Sequence, residues 1–426
     1  MPDEDIGVRY MVNHQYLKAN SSGSIFIAIE IQSLKQFKDS SNLSSLSLVV
    51  DCSSSMRGEK FKQAKESALD TFRSLGDNDY LSIISFDKSA KVALHSSKKS
   101  ESRSAEDVIR NLKLGIGTNI YEGLLLAYKQ ISKQKKEPNN NNKTTITRRI
   151  VLLTDGQASA GKTEEEDFVG LSGRIREDGI TVSTVGIGVG YDQHLLHAIA
   201  EAGGGVPQHV GEATDLRKVV NKQADELSST VLISPTFTIT MMPGAKIEEV
   251  YTVTPTLRKQ IIDPANNNRY VARLKDIIIG QRQTIVVKAV YPPRSPGPYG
   301  MARYRVAQIQ INDMVKDIVC NVTSNRSLYD KETDPTPRMV LTASEATSLL
   351  SKGVQANDDD AIKKAETIIR DLSQDEDFET VMTKQPLIKK MAATIRRVVE
   401  RISQGPLSES EKKEAIHDTS TFFKQT

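Results

Sequence analysis

Three oxygen-bearing side chains stand at the end of an apolar segment near the start of the chain. Residues 46–50 are followed by Asp51, Ser53 and Ser55, which alternate in the pattern Asp-x-Ser-x-Ser. In open α/β sheets, a buried strand with polar residues at its carboxyl end commonly builds a binding site. One carboxylate and two hydroxyls are hard oxygen donors with little total charge, which suits Mg²⁺ or Mn²⁺ rather than zinc. The pattern therefore predicts a site for a hard divalent cation.

Two further residues fit the same site. Thr118 follows Gly-Ile-Gly and precedes a helical pattern, and Asp155 follows the apolar segment 150–153 in the sequence Thr-Asp-Gly. Both would lie at the edge where parallel strands end, because that edge carries the strand-to-helix loops. The alternative for the three earlier residues is ordinary turn and capping chemistry, since Asp and Ser favour such positions. Thr118 and Asp155 favour the metal site.

The segment that must position these residues alternates strands with helices between about residues 44 and 232. Such alternation predicts a doubly wound, mostly parallel sheet with helices on both faces. The predicted strands are 46–51, 80–86, 90–95, 149–154, 180–186 and a short one near 207–210. The predicted helices are 58–75, 104–113, 120–134, 164–178, 191–202 and 213–229. Residues 133–143 are predicted to form a polar surface loop.

The segments that flank this α/β unit have a different pattern. Residues 1–43 contain two runs of alternating apolar residues, which predict a β-hairpin. Residues 233–330 contain short strand patterns separated by turns rich in Pro and Gly, which predict an antiparallel β-sandwich. We expect the hairpin to complete this sandwich, with the α/β unit of residues 44–232 inserted in it. The predicted sandwich strands are 236–241, 269–274, 283–290 and 302–311.

The last part of the chain changes pattern again. Residues 331–405 are predicted to form a helical domain, because apolar residues recur at helical spacing. The predicted helices are 338–352, 359–373, 375–383 and 385–404. Gly405 and Pro406 end this pattern. The remaining residues 406–426 are charged and rich in Ser and Thr, and they are predicted to form a flexible tail.

The composition is that of a globular protein, with 38% hydrophobic and 26% charged residues. A net charge of +3 gives no reason to expect direct binding to nucleic acid. No apolar segment is long enough to cross a membrane. Cys52 and Cys320 are too few for a disulfide framework, and the acidic start of the chain lacks the pattern of a signal peptide. We therefore expect a cytoplasmic protein.

Five residues, in this order on a βαβ chain, resemble the metal-ion-dependent adhesion site (MIDAS) of the von Willebrand factor A (vWA) family: Asp51, Ser53, Ser55, Thr118 and Asp155. The resemblance covers roughly residues 44–230. It implies that the two serines bind Mg²⁺ (or Mn²⁺) directly, the threonine directly or through water, and the two aspartates mostly through water. One coordination position would remain for a carboxylate of a partner protein. The family usually has Gly where this chain has Ser54, which adds a Cβ beside the site and leaves the ligands unchanged.

The order of the domains resembles two narrower groups of vWA proteins. One is the core of vesicle-coat proteins of the Sec23/Sec24 type. The other is an archaeal vWA protein that pairs with a forkhead-associated (FHA) domain protein in the repression of motility genes. The second resemblance implies a cytoplasmic scaffold that Ser/Thr protein kinases and a phosphatase act on, and whose phosphothreonine binds the FHA domain. The sequence leaves these phosphorylation candidates open: Thr336, Ser408, Ser410, Thr419 and Thr421.

Catalysis by the serines of the metal motif is not expected. No Gly-x-Ser-x-Gly motif surrounds them, and no histidine lies in a motif that could supply their base. A hydroxyl that binds Mg²⁺ beside two acids is a ligand rather than a nucleophile. We therefore expect a non-enzymatic interaction scaffold. Two other classes stay open: a structural coat or assembly factor of the Sec23/Sec24 type, and an adaptor of an AAA ATPase or metal chelatase.

Overall fold

The computed structural model describes residues 5–35, 43–133 and 146–421. The chain divides into two compact units. One unit combines Met1–Leu34 with Pro235–Thr426, and the other consists of Lys35–Ser234. The chain thus begins the first unit, forms the second and then returns to complete the first. The predicted polar loop 133–143 lies outside the described residues, apart from Lys133.

Three strands open the chain: Ile6–Val12 (β1), Tyr16–Lys18 (β2) and Gly23–Ser33 (β3). β1 and β3 pair in antiparallel fashion, with Val8 opposite Ile31 and Val12 opposite Ile27. The two alternating apolar patterns of the sequence therefore lie side by side. β2 has three residues, which are too few to produce an alternating pattern, and the sequence did not predict it.

The second unit is an α/β layer structure, and the predicted alternation of strands and helices is confirmed. Its main strands are Leu43–Asp51 (β4), Tyr80–Phe86 (β5), Ala90–Lys98 (β6), Ile146–Thr154 (β7), Ile180–Ile187 (β8) and Gly204–Val210 (β9). Its helices are Glu59–Ser74 (α1), Ala105–Arg110 (α2), Ile120–Ile131 (α3), Glu165–Glu177 (α4), Gln193–Ala202 (α5) and Leu216–Ser228 (α6). A short strand, Thr230–Leu232 (β10), follows α6.

These strands form a six-stranded sheet in the order β6-β5-β4-β7-β8-β9. β6 is antiparallel to β5, and the other neighbours are parallel. Leu48 and Val50 belong to the apolar core on one face of the sheet, and Val49 belongs to the core on the other face. β4 is therefore buried on both faces, which explains why its sequence is an unbroken apolar run.

The first unit continues with eight strands: Thr236–Met241 (β11), Lys246–Thr254 (β12), Arg258–Lys259 (β13), Arg269–Arg273 (β14), Ile277–Ile278 (β15), Arg282–Tyr291 (β16), Met301–Ile311 (β17) and Met314–Thr323 (β18). Most of them join β1–β3 in two five-stranded sheets, ordered β1-β3-β16-β12-β13 and β14-β11-β17-β18-β2. All pairs in these sheets are antiparallel except β18 with β2. The opening strands thus complete the sheets of the later segment.

Six helices follow the strands: Arg326–Tyr329 (α7), Thr336–Ala356 (α8), Asp359–Ser373 (α9), Phe378–Lys384 (α10), Pro386–Ser403 (α11) and Glu409–Ser420 (α12). The buried apolar residues of α8–α12 share one apolar core with Tyr251, Val253 and Val286 of the first sheet. The helices and the sheets therefore belong to one compact unit. Within the described residues, none of the helices has the length and hydropathy that a membrane span requires.

The prediction of a flexible tail over 406–426 is wrong for most of that segment, because residues 409–420 form α12. Ser408 caps this helix, and its side chain and that of Glu411 form a reciprocal capping box. Ala415 and Thr419 are buried, and Thr421 forms a β-bridge with Thr256. The prediction failed because the segment is mostly charged and polar, and only two residues of the short helix are buried.

Candidate metal site

The candidate site lies at the carboxyl edge of the parallel sheet, between β4 and β7. These strands are direct neighbours, and from β4 the chain proceeds to β5 on one side of the sheet and later to β7 on the other. The order of strands reverses at this point, and ligands of open α/β sheets bind in the crevice that such a reversal creates. Asp51 ends β4, and Asp155 directly follows β7.

Asp51 is held rigidly at the tip of β4. Its Oδ1 accepts a hydrogen bond from the backbone N–H of Ser53 at 2.7 Å, and its Oδ2 accepts one from the hydroxyl of Thr154 at 2.5 Å. The side chain is fully buried. Burial raises the pKa of this carboxyl, and the hydrogen bonds from Thr154 and Ser53 act in the opposite direction.

The two serines connect this strand tip to Asp155. Ser53 Oγ lies 2.8 Å from Ser55 Oγ, and Ser55 donates a hydrogen bond to Oδ1 of Asp155 at 2.7 Å. Ser53 and Asp155 are buried, whereas Ser55 is exposed. The cluster is therefore enclosed by protein on one side and open to solvent on the side of Ser55.

Thr118 approaches the cluster from the loop before α3. Its N–H donates to Ser159 Oγ at 3.1 Å, and its carbonyl oxygen accepts from the N–H of Ser159 at 3.0 Å. A Cβ placed on Gly156 would lie 3.6 Å from Thr118 Oγ1 and 3.7 Å from Ser55 Oγ. The two hydroxyls thus face the same small space beside Gly156. The structure brings together all five residues that the sequence predicted.

The donor set suits a hard cation. Every side chain of the cluster presents oxygen, as hydroxyl or carboxylate, which is the chemistry that Mg²⁺ and Mn²⁺ prefer. In the parts of the chain that the structure describes, no group of three or more His, Cys, Asp or Glu side chains could hold a metal. Such a site here would therefore depend on serine and threonine hydroxyls. Ser54, which stands between the two serine ligands in the chain, is exposed.

The sequence did not predict two residues that contact this cluster. Thr154 donates the hydrogen bond to Asp51 described above, and Lys60 Nζ lies 2.6 Å from Oδ2 of Asp155. Thr154 stands directly before Asp155 in the chain, so its position at the strand end was a usable signal. Lys60 lies in the first turn of α1, and its pairing with Asp155 depends on a contact that no local pattern reveals.

The phosphorylation candidates occupy two kinds of environment. Thr336, Thr419 and Thr421 are buried, and the hydroxyl of Thr419 donates to the carbonyl oxygen of Ala415 at 2.8 Å. Ser408 and Ser410 are exposed at the start of α12. The hydroxyl of the buried threonines is therefore inaccessible to a kinase in the folded chain, whereas the two serines are accessible.

Residues 46–225, which contain all five predicted ligands, match the family model of the von Willebrand factor type A domain. This segment is a vWA domain. Domains of this family are typically protein-interaction modules rather than enzymes. This domain contains the six-stranded sheet, the helices on its two faces and the candidate metal site.

Relatives of the chain share this region. The uncharacterized protein sll0103 of Synechocystis is 26% identical over 269 residues, which cover 62% of this chain and 60% of that protein. The human inter-alpha-trypsin inhibitor heavy chain H1 is 25% identical over 188 residues, which cover 43% of this chain and 20% of that protein. The chain thus spans less than two thirds of the length of either relative.

Two solved structures resemble the chain beyond its vWA domain. A von Willebrand factor type A protein from Catenulispora acidiphila matches with a TM-score of 0.72 and 15% identity over 97% of this chain and 96% of that one. The ArnB paralog VWA2 from Sulfolobus acidocaldarius matches with a TM-score of 0.54 and 13% identity over 98% of both chains. The fold of the whole chain therefore recurs in these proteins.

Proposed function

We propose that this chain is a non-enzymatic scaffold whose vWA domain binds a partner protein through a divalent cation. Asp51, Ser53, Ser55, Thr118 and Asp155 would hold Mg²⁺ or Mn²⁺, and a carboxylate of the partner would complete the coordination. The single observation that carries this proposal is the gathering of these five oxygen-bearing side chains around a space that is open on the side of Ser55. The cation would supply a positive charge that attracts an acidic side chain.

The chemistry of the neighbouring side chains supports an interaction site rather than a catalytic one. In the described structure, the hydroxyl of Ser55 contacts that of Ser53 and Oδ1 of Asp155, and no histidine is bonded to either serine. Cys52 lies between two of the ligands, but burial raises the pKa of its thiol to about 12. The thiol is therefore neutral at physiological pH and is a poor nucleophile.

Capture of binding partners from a cell extract tests this proposal. The immobilised full-length chain should retain acidic partner proteins in Mg²⁺ and release them in EDTA. Ser55→Ala should lose the same proteins, because it removes a hydroxyl that faces Ser53 and Asp155. Ser54→Ala is the matched control, since Ser54 is the preceding exposed serine of the same turn and should change nothing. Retention that is equal in Mg²⁺ and EDTA would contradict the proposal.

A second function is favoured by the exposure of Ser408 and Ser410. We propose that Ser/Thr kinases phosphorylate these serines and that a phosphatase reverses this. Phosphate beside Glu411 would break the capping box and loosen α12, so that a phosphothreonine could form on Thr419 or Thr421 and bind an FHA-domain partner in the cytoplasm, within archaeal regulation of motility genes. The likeness to the fold of the ArnB paralog VWA2 is what suggests this pathway. A phosphothreonine at Thr419 or Thr421 would additionally require α12 to detach, because both residues are buried.

Kinase treatment followed by mass spectrometry tests this second proposal. Phosphate should appear on Ser408 or Ser410 in the intact chain, and the phosphorylated chain should bind an isolated FHA domain more tightly than the untreated chain does. The double variant Ser408→Ala, Ser410→Ala should abolish the gain. A structural coat or assembly factor would instead show higher-order species in light scattering, and an adaptor of an AAA ATPase or metal chelatase would retain that enzyme in the capture experiment.

A further inference from the structure

Lys60 lies at the edge of the candidate metal site, although it belongs to none of the ligand motifs. Its Nζ is 2.6 Å from Oδ2 of Asp155, while Oδ1 of the same carboxylate accepts the hydrogen bond from Ser55 at 2.7 Å. One oxygen of Asp155 thus faces the hydroxyl ligands, and the other faces a positive charge. The Asp155 side chain is 1% exposed, and that of Lys60 is 35% exposed.

The position of Lys60 is unfavourable for the helix that carries it. Lys60 is the second residue of α1 and therefore lies in the first turn of this helix. The peptide dipoles give a helix amino terminus a partial positive charge, which disfavours a cation there and favours an acid such as Glu59. Helix stability therefore does not account for a lysine at this position, whereas the ion pair with buried Asp155 does.

The balance of charges at the site indicates how Lys60 affects the binding of a cation. Asp51 and Asp155 contribute two carboxylates, and Lys60 contributes one ammonium group in direct contact with the second of them. A positive charge beside Asp155 lowers the attraction of the site for any further cation. After a divalent cation has bound, the same lysine leaves the site with one positive charge more than the carboxylates can balance.

We propose that the ammonium group of Lys60, which pairs with Asp155, competes electrostatically with the divalent metal and lowers the affinity of the site for that metal. This inference rests on the proposed metal-dependent function of the same site. Lys60 weakens metal binding and, once the metal is bound, keeps the site positive, which strengthens its attraction for a partner carboxylate. It is thus a residue that tunes the site without being one of its ligands.

Binding of Mn²⁺ alone, followed by electron paramagnetic resonance of the free ion, tests the proposal on the full-length chain. Lys60→Met keeps the length of the side chain and removes its charge, so it should bind Mn²⁺ about tenfold more tightly than the unmodified chain does. Lys60→Arg retains the charge and should stay within about threefold of the unmodified chain. Thermal unfolding in EDTA confirms that each variant folds.

Lys62→Met is the matched control for the loss of a lysine from the same helix. Lys62 is 66% exposed and lies 3.6 Å from Glu59 rather than at the site. Its removal should leave Mn²⁺ affinity within about twofold, because a distant exposed charge is screened by salt. Adding Ser55→Ala to Lys60→Met should abolish the tighter binding, which assigns the gain to the predicted ligands.

The possible results separate the two proposals. Equal or weaker Mn²⁺ binding by Lys60→Met, with binding by the unmodified chain intact, overturns the role of Lys60 and leaves the metal site standing. Tight binding that persists in the double variant with Ser55→Ala also overturns it, since the ion then binds elsewhere. Failure of both the unmodified chain and Lys60→Met to bind millimolar Mn²⁺ overturns the metal site together with the role of the lysine.

Discussion

Asp51 is a carboxylate in a place that disfavours its charge. It is fully buried, and burial raises its pKa despite the hydrogen bonds from Thr154 and Ser53. A buried anion without a cation in contact destabilises a folded protein, whereas a metal ion would compensate its charge. This residue is therefore better suited to binding a cation than to stabilising the metal-free chain.

The substitution Asp51→Asn should separate these two effects. In EDTA, the variant should unfold at the same temperature as the unmodified chain or at a higher one, because a neutral amide of the same shape avoids the cost of burying a charge. Addition of Mg²⁺ should raise the unfolding temperature of the unmodified chain and leave that of the variant unchanged. Thermal unfolding followed by circular dichroism measures both. A large loss of stability in EDTA would show that the carboxylate is structural.

Gly156 offers a steric test of the same site. A Cβ at this position would make ordinary van der Waals contacts, 3.6 Å from Thr118 Oγ1 and 3.7 Å from Ser55 Oγ. Gly156→Ala should therefore keep Mg²⁺ affinity, measured by titration calorimetry. Gly156→Leu would fill the space between the two hydroxyls and should weaken binding by about tenfold or more, equivalent to roughly 1.4 kcal/mol. Equal affinity of both variants would place the cation away from this space.

The site residues that belong to a local sequence motif or follow a strand could be predicted from the sequence. A residue that reaches the site through a contact with a distant part of the chain could not. Asp51, Ser53 and Ser55 form a motif, and Asp155 follows a strand of the same sheet, so the topology of a parallel sheet brings them to one edge. Lys60 meets Asp155 across 95 positions of the chain. Such an ion pair leaves no periodic signal, since it depends on how α1 enters the site.

At the level of the elements, the strands that the sequence missed have identifiable causes. β12 contains register shifts between Ile247 and Glu249 and between Thr252 and Thr254, and a bulge breaks the alternation that reveals a strand. β18 alternates its buried residues at Ile318, Cys320 and Val322, so its pattern was present and was overlooked. The α/β unit was easier to predict because its strands are buried on both faces and separated by clear helices.

The hydrogen bonds that hold α12 in place predict how the stability of the chain depends on pH. Glu411 accepts hydrogen bonds from Ser408 and Arg401, which lower its pKa from 4.5 to about 2. A carboxyl whose pKa is lower in the folded chain contributes stability that is present above about pH 4.5 and is lost as the pH falls toward 2. The unmodified chain should therefore resist urea better than Glu411→Gln at pH 6, and this difference should be much smaller at pH 2.5.

A neighbouring residue provides the control for this pH effect. Glu414 is exposed on the same helix, so Glu414→Gln should unfold in urea as the unmodified chain does at both pH values. A difference between Glu411→Gln and the unmodified chain that is as large at pH 2.5 as at pH 6 would mean that Glu411 acts through packing rather than charge. Both variants lie in α12, the helix that the structure shows where the composition predicted a flexible tail.

At the level of the whole molecule, the two ends of the chain build one unit. β16 pairs with β3 over its full length, with Ile285 opposite Ile29, and Glu30 accepts a hydrogen bond from Arg282 at 3.0 Å. These contacts close a chain segment that contains the entire vWA domain. The entropic cost of closing a loop rises slowly with its length, so an inserted domain that folds by itself is tolerated between paired strands.

This organisation predicts how the intact chain unfolds. Because the two units have separate apolar cores, calorimetry of the metal-free chain should resolve two transitions. Mg²⁺ at a hundredfold excess over its Kd should stabilise the vWA transition by about 2.7 kcal/mol and leave the other unchanged, since only the unit of Lys35–Ser234 contains the proposed ligands. Ser55→Ala should remove this effect and Ser54→Ala should retain it. Movement of both transitions together would show that the two units unfold as one.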